Sequence, residues 1–288
     1  MKTLVLVGGT GSLGRAILKQ QDLLKENKIS RIRILSRDEQ KQALTEKEYK
    51  GDIELQCFLG DIRNLDRMEF GLKDAHYVIH AAALKMVERF ELDVDEGYET
   101  NINGTRNVLK AFLKSKNAES GILVSTDKAC NPINAYGVSK LAAQHVWLWG
   151  NTFQHDTELG VCLYGNVYGS RGSVIELWEK LRHQKMPLPI THAEMTRFFI
   201  SKTDAARFVL KSLFNNKKKI MAPDMKSAEM TRIAELLTTM GLMEVGLRRG
   251  EKLHEEIVSS DFSIDSKTAP RFTDSELLGL HQGWLNGE

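Results

Sequence analysis

Continuous apolar runs alternate with amphipathic stretches through the first half of the chain. The runs predict strands at Thr3–Val7, Ile32–Leu35, Ile53–Leu59, Tyr77–His80 and Ile122–Ser125. Strands covered on both faces of a parallel sheet have this continuous pattern, whereas half-exposed strands alternate. Helices are predicted between them, including Leu13–Lys25 and Asn101–Ser115. The β-α-β order predicts a doubly wound parallel sheet with right-handed crossovers.

The pattern changes beyond about residue 170. A long helix is predicted after Asn134 and a sixth strand at Gly160–Leu163. Short strands then separate further helices, predicted at Val174–His183, Asp204–Phe214 and Ala228–Met240. We therefore predict an α/β protein with a Rossmann domain at residues 1–170 and a smaller C-terminal α/β domain at residues 171–288. The second domain would bind substrate over the carboxyl edge of the sheet, with some segments returning to that sheet.

Composition narrows the possible partners. The chain has 288 residues, with 40 Lys and Arg against 38 Asp and Glu, so its net charge of +2 favours no nucleic-acid partner. No apolar run approaches the roughly 20 residues that span a bilayer, and no signal-peptide pattern precedes the first strand. The three cysteines are far apart in the sequence and suggest no disulfide framework. These features predict a cytoplasmic protein without a membrane partner.

The first strand leads into a glycine-rich turn, GGTGSLG, at residues 8–14. Glycine allows a tight turn and close approach of the backbone to a pyrophosphate, and the following helix N-terminus offers free N–H groups. Glycine alone is a weak signal, but its place after the first strand favours a dinucleotide site. The predicted cofactor contacts are Gly8, Thr10, Gly11, Ser12, Leu13 and Gly14.

The end of the second predicted strand indicates which dinucleotide binds. NAD sites usually place an acidic residue there for the ribose 2′-hydroxyl. Here Ser36 and Arg37 end the strand and Lys41 follows, a set that suits the 2′-phosphate of NADP. Asp38 keeps NAD possible, although it would also serve as a helix N-cap. Asp61 and Ile62 end the third strand, where adenine could be recognised or a helix capped.

The fifth predicted strand ends in the segment with the most chemistry. Tyr136 and Lys140 are four residues apart, so on a helix they share one face. An ammonium beside a phenol stabilises the phenolate, and this predicts a tyrosine base with a pKa well below its usual value of about 10. The hydroxyl of Thr126 could hold a substrate oxygen. This spacing also occurs on solvated helix faces, but the glycine turn makes the combination specific.

With these features the chain resembles the extended short-chain dehydrogenase/reductases, and among them the UDP-N-acetylglucosamine 4,6-dehydratases of the inverting type. The resemblance extends from GGTGSLG to GEKLHE. The other shared motifs are SRDEQKQ (36–42), AAALK (81–85), TNINGT (100–105), STDKACNPINAYGVSK (125–140), YGNVYGSRGSV (164–174), PIT (189–191), MTRFFI (195–200) and RRGEKLHE (248–255).

The resemblance implies a reaction and a role for each catalytic residue. Tyr136, with Lys140 and Thr126, would take the proton from the sugar O4, and hydride would pass from C4 to NADP⁺. Lys128 would then remove the C5 proton, while Asp127 would protonate the departing O6. Hydride would return to C6, so the cofactor is recycled. A salt bridge to Asp127 or a phosphate contact is the alternative role of Lys128.

The family also implies further contacts. Ala81, Ala82 and Val167 would join Tyr136 and Lys140 in contacting the cofactor. Arginine suits phosphates and glutamate suits ribose hydroxyls. The expected substrate contacts are Lys85, Asn166, Arg171, Thr191, Arg197, Arg248 and Glu251. The motif around Arg197 would equally suit a structural strand. A UDP-sugar substrate, a homodimer or higher homo-oligomer and a role in surface-glycan or flagellin sugar synthesis follow from the same resemblance.

Some positions differ from the family pattern. Met86-Val87-Glu88 replaces His-Val-Pro, Leu163 replaces an arginine, and the tail after GEKLHE is short. These differences bear on the identity of the sugar more than on the chemistry. An NDP-sugar 4-epimerase is a rival interpretation, since it shares the fold and the tyrosine chemistry but does not need Asp127 and Lys128. A non-catalytic NADP-sensing protein is a second rival, although such proteins commonly lose the tyrosine–lysine pair. No histidine has metal-ligand spacing, and His80 is expected to be packed in the core.

Overall fold

A computed structural model describes residues 2–153, 156–215 and 219–287. The strands in these ranges are β1 (Lys2–Val7), β2 (Ile29–Ser36), β3 (Glu54–Leu59), β4 (Tyr77–His80), β5 (Ser120–Val124), β6 (Glu158–Cys162), β7 (Asn166–Val167), β8 (Leu188–Ile190), β9 (Thr196–Ile200), β10 (Ile220–Met221), β11 (Ser227–Glu229), β12 (Leu242–Glu244), β13 (Glu256–Val258) and β14 (Ser263–Asp265).

The helices surround these strands. They are α1 (Ser12–Leu18), α2 (Gln21–Glu26), α3 (Glu39–Glu48), α4 (Leu65–Leu72), α5 (Val87–Leu92), α6 (Val94–Tyr98), α7 (Gly104–Leu113), α8 (Ala135–Trp149), α9 (Val174–His183), α10 (Lys202–Phe214), α11 (Met230–Leu237) and α12 (Asp274–Leu285).

Across the described ranges, seven strands form one parallel sheet in the order β10-β6-β5-β4-β1-β2-β3. The expected doubly wound Rossmann sheet is confirmed. Strand order reverses between β3 and β4, so the carboxyl ends of β1 and β4 flank the crevice where such sheets bind ligands. Helices α1 and α10 pack on one face of the sheet, and α4, α7 and α8 pack on the other.

Three predicted helices are divided differently in the structure. The helix expected at Leu13–Lys25 is two helices, α1 and α2, and the Gln21 side chain donates to the carbonyl of Leu18 at the break between them. Asn101–Ser115 begins as a π-helical turn, Glu99–Asn103, before α7. The start of Ala228–Met240 is a strand, β11, and its helix spans only α11. Local side-chain bonds and strand pairing therefore overrode apolar periodicity.

The C-terminal segments form smaller sheets over the carboxyl edge of the large one. One has the order β11-β9-β7, while β8 pairs with β12 and β13 with β14. Their core contains Trp178, Phe199 and Ile233. Helix α10 and strand β10 return to the large sheet. No helix in the described ranges is long and apolar enough to cross a membrane.

Candidate active site

The glycine-rich turn connects β1 to α1 beneath the crevice. Gly8 has a φ of +84°, and a Cβ there would lie 2.7 Å from the backbone nitrogen of Ala82. The turn therefore packs against the backbone that follows β4, and glycine is required by both conformation and space. Gly11 is the N-cap of α1 and leaves the first N–H groups of that helix without a side-chain acceptor. This cradle fits the pyrophosphate of a dinucleotide.

The side chains expected to select the dinucleotide lie at the end of β2 and just beyond it. Asp38 caps α3 by accepting from the Lys41 backbone at 2.9 Å, and its carboxylate also pairs with the Lys41 ammonium. The Ser36 hydroxyl accepts from Gln42 at 3.0 Å. Arg37 keeps half of its side chain exposed, with its guanidinium 3.5 Å from the Asp61 carboxylate. The arginine is therefore placed to meet an anion at this edge.

Asp61 and Ile62 are neighbours in sequence but lie in different surroundings. The Asp61 carboxylate receives both Nε and Nη2 of Arg63, the latter at 2.7 Å, and Arg63 Nη1 lies 2.5 Å from Glu96. Hydrogen bonds from Arg63 hold the pKa of Asp61 below its usual range despite the burial that opposes this. Ile62 is buried in the core beside α7. Asp61 thus borders the cofactor edge as an ionised, arginine-paired group.

Thr126, Asp127 and Lys128 form a turn directly after β5. The Thr126 hydroxyl donates to Asp127 Oδ1 at 2.8 Å, and Lys128 Nζ lies 3.1 Å from the same oxygen. Asp127 is fully buried, and its Oδ2 has no hydrogen-bond partner within the described chain. The Thr126 hydroxyl, predicted to hold a substrate oxygen, thus lies against the Asp127 carboxylate. The turn therefore presents an acid and an amine side by side.

Tyr136 lies in the first turn of helix α8, close to residues 126–128. Burial raises the pKa of Tyr136 to about 12, although the Lys128 ammonium and a Thr126 hydrogen bond oppose the change. The expectation of a lowered pKa is therefore wrong for this arrangement. The phenolate loses its hydration, and Lys140 is not among the groups that offset this loss.

Lys140 lies one turn further along α8. Its ammonium donates to the carbonyl of Val124 at 2.8 Å, and burial lowers the pKa of Lys140 to about 8. The helix itself is set by Asn134, which caps it by accepting from the Gly137 N–H at 2.6 Å. Tyr136 and Lys140 thus share a helix face as predicted, but the lysine is directed to the end of β5.

Two residues that sequence reasoning assigned no role complete this region. Glu255 is only 2% exposed, and its Oε1 lies 3.3 Å from Lys128 Nζ. Asn101 accepts from the Leu84 N–H at 2.8 Å and donates to Ser139 at 3.0 Å, which ties the loop after β4 to α8. Both belong to motifs quoted above, GEKLHE and TNINGT, so the motifs were the available signal.

Arg197, for which both a phosphate contact and a structural role were considered, is hydrogen-bonded to the backbone in this structure. It is 6% exposed, and its guanidinium donates to the carbonyls of Thr196, Lys252 and Leu253 at 2.8–3.1 Å. Its Nε lies 4.0 Å from Glu255. The arginine therefore fastens the segment before β13 to β9, which corresponds to the structural alternative.

The loop from β7 reaches back over the glycine turn. Lys85 Nζ donates to the Arg171 carbonyl at 2.8 Å, and the Arg171 N–H donates to the Ser12 hydroxyl at 3.4 Å. Asn166 and Val167 form β7, which pairs with β9 at Phe199 and Ile200. The segment that follows β7 is therefore in contact with the glycine-rich turn.

The RRGEKLHE segment approaches the start of α8. Arg248 lies 2.5 Å from Glu88, and its N–H donates to the Glu251 carboxylate at 3.1 Å. Gly250, with φ of +80°, places its carbonyl 2.7 Å from the Asn134 amide. Thr191 follows β8 and donates to the Met195 sulfur at 3.1 Å. Arg248 and Glu251 thus border the site, while Thr191 lies in the smaller sheet region.

Within residues 2–153, 156–215 and 219–287, no group of three His, Cys, Asp or Glu side chains could hold a metal ion. His80 is completely buried, as expected, and shares a 3.0 Å hydrogen bond with Thr105.

Two known proteins have sequences similar to that of this chain. A UDP-N-acetylglucosamine 4,6-dehydratase (inverting) from Campylobacter jejuni is 39% identical over 267 residues, covering 91% of this chain and 79% of that protein. A UDP-glucose 4-epimerase from Rickettsia massiliae is 36% identical over 271 residues, covering 90% and 78%.

Solved structures agree on the fold. The X-ray structure of Pen from Bacillus thuringiensis is 27% identical, with a TM-score of 0.90 over 98% of this chain and 97% of that one. DesIV, a dTDP-glucose 4,6-dehydratase from Streptomyces venezuelae solved with NAD, has a TM-score of 0.81 at 17% identity, covering 99% and 97%. The family described as "Polysaccharide biosynthesis protein" matches residues 4–276. The chain therefore belongs to the polysaccharide biosynthesis protein family.

Proposed function

We propose that this protein is an NADP-dependent UDP-N-acetylglucosamine 4,6-dehydratase that inverts C5. The observation that carries the proposal is the buried turn at residues 126–128. It places a carboxylate and an amine 3.1 Å apart beside Tyr136, at the carboxyl end of β5. The name of the Campylobacter relative supports the same activity.

Each side chain has a distinct task in this reaction. A bound nicotinamide dinucleotide supplies reversible hydride storage. Oxidation of the C4 alcohol and formation of the C6 methyl group therefore need no external reductant. Tyr136 takes the O4 proton. Lys128 removes the C5 proton, which the 4-ketone makes acidic, and Asp127 protonates the departing C6 oxygen. Together, Tyr136, Lys128 and Asp127 take two protons from the sugar, one from O4 and one from C5. They give two protons back, one to the departing water and one to C5.

The charges at the site make these proton transfers interdependent. Burial would lower the pKa of Lys128, but Asp127 and Glu255 more than offset this, and the pKa is raised. The resulting ammonium in turn opposes the high pKa of Tyr136. Tyr136 and Lys128 must both lose protons before they act as bases. Loss of a proton from one changes the charge beside the other, and so changes the pKa of the other.

NADP is the proposed cofactor because of the charges beyond β2. The half-exposed Arg37 and the ammonium of Lys41 suit a 2′-phosphate, and Asp38 is engaged in capping α3. Homo-oligomerisation and a cytoplasmic location stay predictions.

A UDP-glucose 4-epimerase is the second candidate, favoured by the name of the Rickettsia relative. That reaction needs a base at O4 but no acid at O6. It gives no role to the buried Asp127–Lys128 pair, which is why the dehydratase is preferred.

Incubation with NADP⁺ and UDP-N-acetylglucosamine in deuterated water, followed by NMR of the product, tests the proposal. A dehydratase yields a C6 methyl, a C4 ketone, deuterium at C5 and inverted C5 stereochemistry. A product with an intact C6 hydroxyl and altered C4 would establish the epimerase. No turnover despite NADP binding would contradict both activities.

A further inference from the structure

Glu255 is a buried carboxylate for which the proposed reaction has no role. It directly precedes β13, and its Oε1 lies 3.3 Å from Lys128 Nζ. Its Oε2 has no hydrogen-bond partner among the described residues, with Lys252 Nζ 3.7 Å away. Burying an ionised carboxylate is costly unless cations compensate it, so this position depends on the charges around it.

The backbone holds Glu255 firmly in place. Its N–H donates to the Ser266 hydroxyl at 2.8 Å, and the Ser266 N–H donates back to the Glu255 carbonyl at 2.8 Å. The Ser266 hydroxyl also lies 2.7 Å from the Thr196 hydroxyl, which connects the segment to β9. The inward direction of the side chain is therefore built into the fold.

Two carboxylates from separate parts of the chain lie close to the Lys128 ammonium. Asp127 approaches from its own turn at 3.1 Å, and Glu255 approaches from the segment before β13 at 3.3 Å. The other charged or titratable groups that face Lys128 or Glu255 are Arg197, Lys252 and Tyr136. Arg197 and Lys252 are mainly occupied with backbone carbonyls, so Lys128 is the cation nearest to Glu255.

We propose that Glu255 is a positioning residue for the C5 base: its carboxylate holds the Lys128 amine in place and sets the pH at which that amine can accept a proton. The inference rests on the function proposed above. Removing the Glu255 charge leaves the ammonium with one carboxylate instead of two. The amine then loses its proton at lower pH.

Release of the substrate's own C5 hydrogen measures the step that Lys128 catalyses. UDP-N-acetylglucosamine with deuterium at C5 is given to the NADP-loaded enzyme, and NMR follows release of that deuterium across a pH series, with a no-enzyme reference subtracted. For Glu255→Gln we expect the midpoint of C5 deuterium release to fall by about one to three pH units. The control is Glu256→Gln, whose carboxylate faces Asn131 and Ser263 and should leave the midpoint unchanged.

Glu255→Asp separates charge from position and serves if the glutamine variant does not fold. It retains the charge on a shorter side chain, so we expect a midpoint near the wild-type value with a slower maximal rate. An unchanged midpoint in folded, NADP-binding Glu255→Gln would overturn the proposal. A lower midpoint in Glu255→Asp would also overturn it, as would a maximal rate in that variant equal to the wild-type rate. Failure of the wild-type enzyme to make the ketone would overturn the dehydratase assignment itself, and this inference with it.

Discussion

Lys140 donates a 2.8 Å hydrogen bond from its ammonium to the carbonyl of Val124, the last residue of β5. The bond joins helix α8 to the strand whose carboxyl end carries Thr126 and Asp127. Burial lowers the pKa of Lys140 to about 8, because no carboxylate accompanies the ammonium. The lysine therefore fastens the start of α8 to the end of β5.

Tyr136→Phe should remove the O4 base while preserving the buried ring. We expect the turnover rate to fall by about 10²- to 10⁴-fold, the usual contribution of general acid–base catalysis, with NADP affinity nearly unchanged. Product formation and cofactor titration measure the two quantities. Tyr49→Phe is the control, because Tyr49 donates to the Ile53 carbonyl far from β5 and should retain full turnover. Equal activity in both variants would contradict the role of Tyr136.

Lys128→Ala should leave NADP bound but abolish loss of the C6 hydroxyl, because the C5 proton has no base. Oxidation at C4 should persist, so NMR should find the C6 hydroxyl intact while absorbance shows reduced cofactor. Lys114→Ala is the control, since this exposed lysine pairs with Glu69 on the surface. Full dehydratase activity in Lys128→Ala would eliminate the base assignment.

Arg37→Ala should weaken NADP binding more than NAD binding. Loss of a charged hydrogen bond to the 2′-phosphate should raise the Kd for NADP by about tenfold to hundredfold, whereas NAD lacks that phosphate. Calorimetric titration with both dinucleotides measures the difference. Arg89→Ala, at an exposed residue 3.7 Å from Asp93, should change neither constant. Equal losses for both cofactors would indicate that Arg37 does not contact the 2′-phosphate.

Alanine substitution of two helical glycines should have opposite effects on stability. A Cβ at Gly14 would lie 2.0 Å from the Gly9 carbonyl oxygen, so Gly14→Ala should lower the free energy of unfolding by about 1–3 kcal/mol. A Cβ at Gly279 in α12 meets nothing within 4 Å among the described atoms, and Ala should stabilise this helix by about 1 kcal/mol. Denaturant unfolding with and without NADP measures both changes. A tolerated Gly14→Ala would mean that β1 and α1 can separate.

His80 should make folding stability depend on pH. Burial lowers the pKa of His80 to about 3, so the unfolded chain binds a proton that the folded chain excludes. This contribution is present above the unfolded pKa and is lost as pH falls toward the folded pKa. We expect a loss of about 1 kcal/mol in the free energy of unfolding between about pH 7 and about pH 5.5.

Urea unfolding of the wild type and of His80→Asn, each at both pH values, isolates that contribution. The variant should lack this part of the pH dependence, whereas His145→Asn, at an exposed position in α8, should retain it. Identical pH slopes in the wild type and His80→Asn would refute the assignment.

Local patterns were sufficient to predict the sheet and the helix that carries Tyr136 and Lys140. Continuous apolar runs marked the central strands β1, β4 and β5, and i, i+4 spacing placed Tyr136 and Lys140 on one helix face. The helix divisions were less predictable. The break between α1 and α2 carries a Gln21 side-chain hydrogen bond to the Leu18 carbonyl, a contact that apolar periodicity does not report.

The sequence by itself determined the nucleotide-binding turn, the parallel sheet and the acid, amine and phenol that follow β5, because these depend on neighbours along the chain. Tertiary structure decided how those groups are charged. It raised the pKa of Tyr136 through burial, directed Arg197 to backbone carbonyls and brought Glu255 to within 3.3 Å of Lys128. Electrostatic energies depend on distance and solvent exposure, which for residues so distant in sequence are set only when the chain folds.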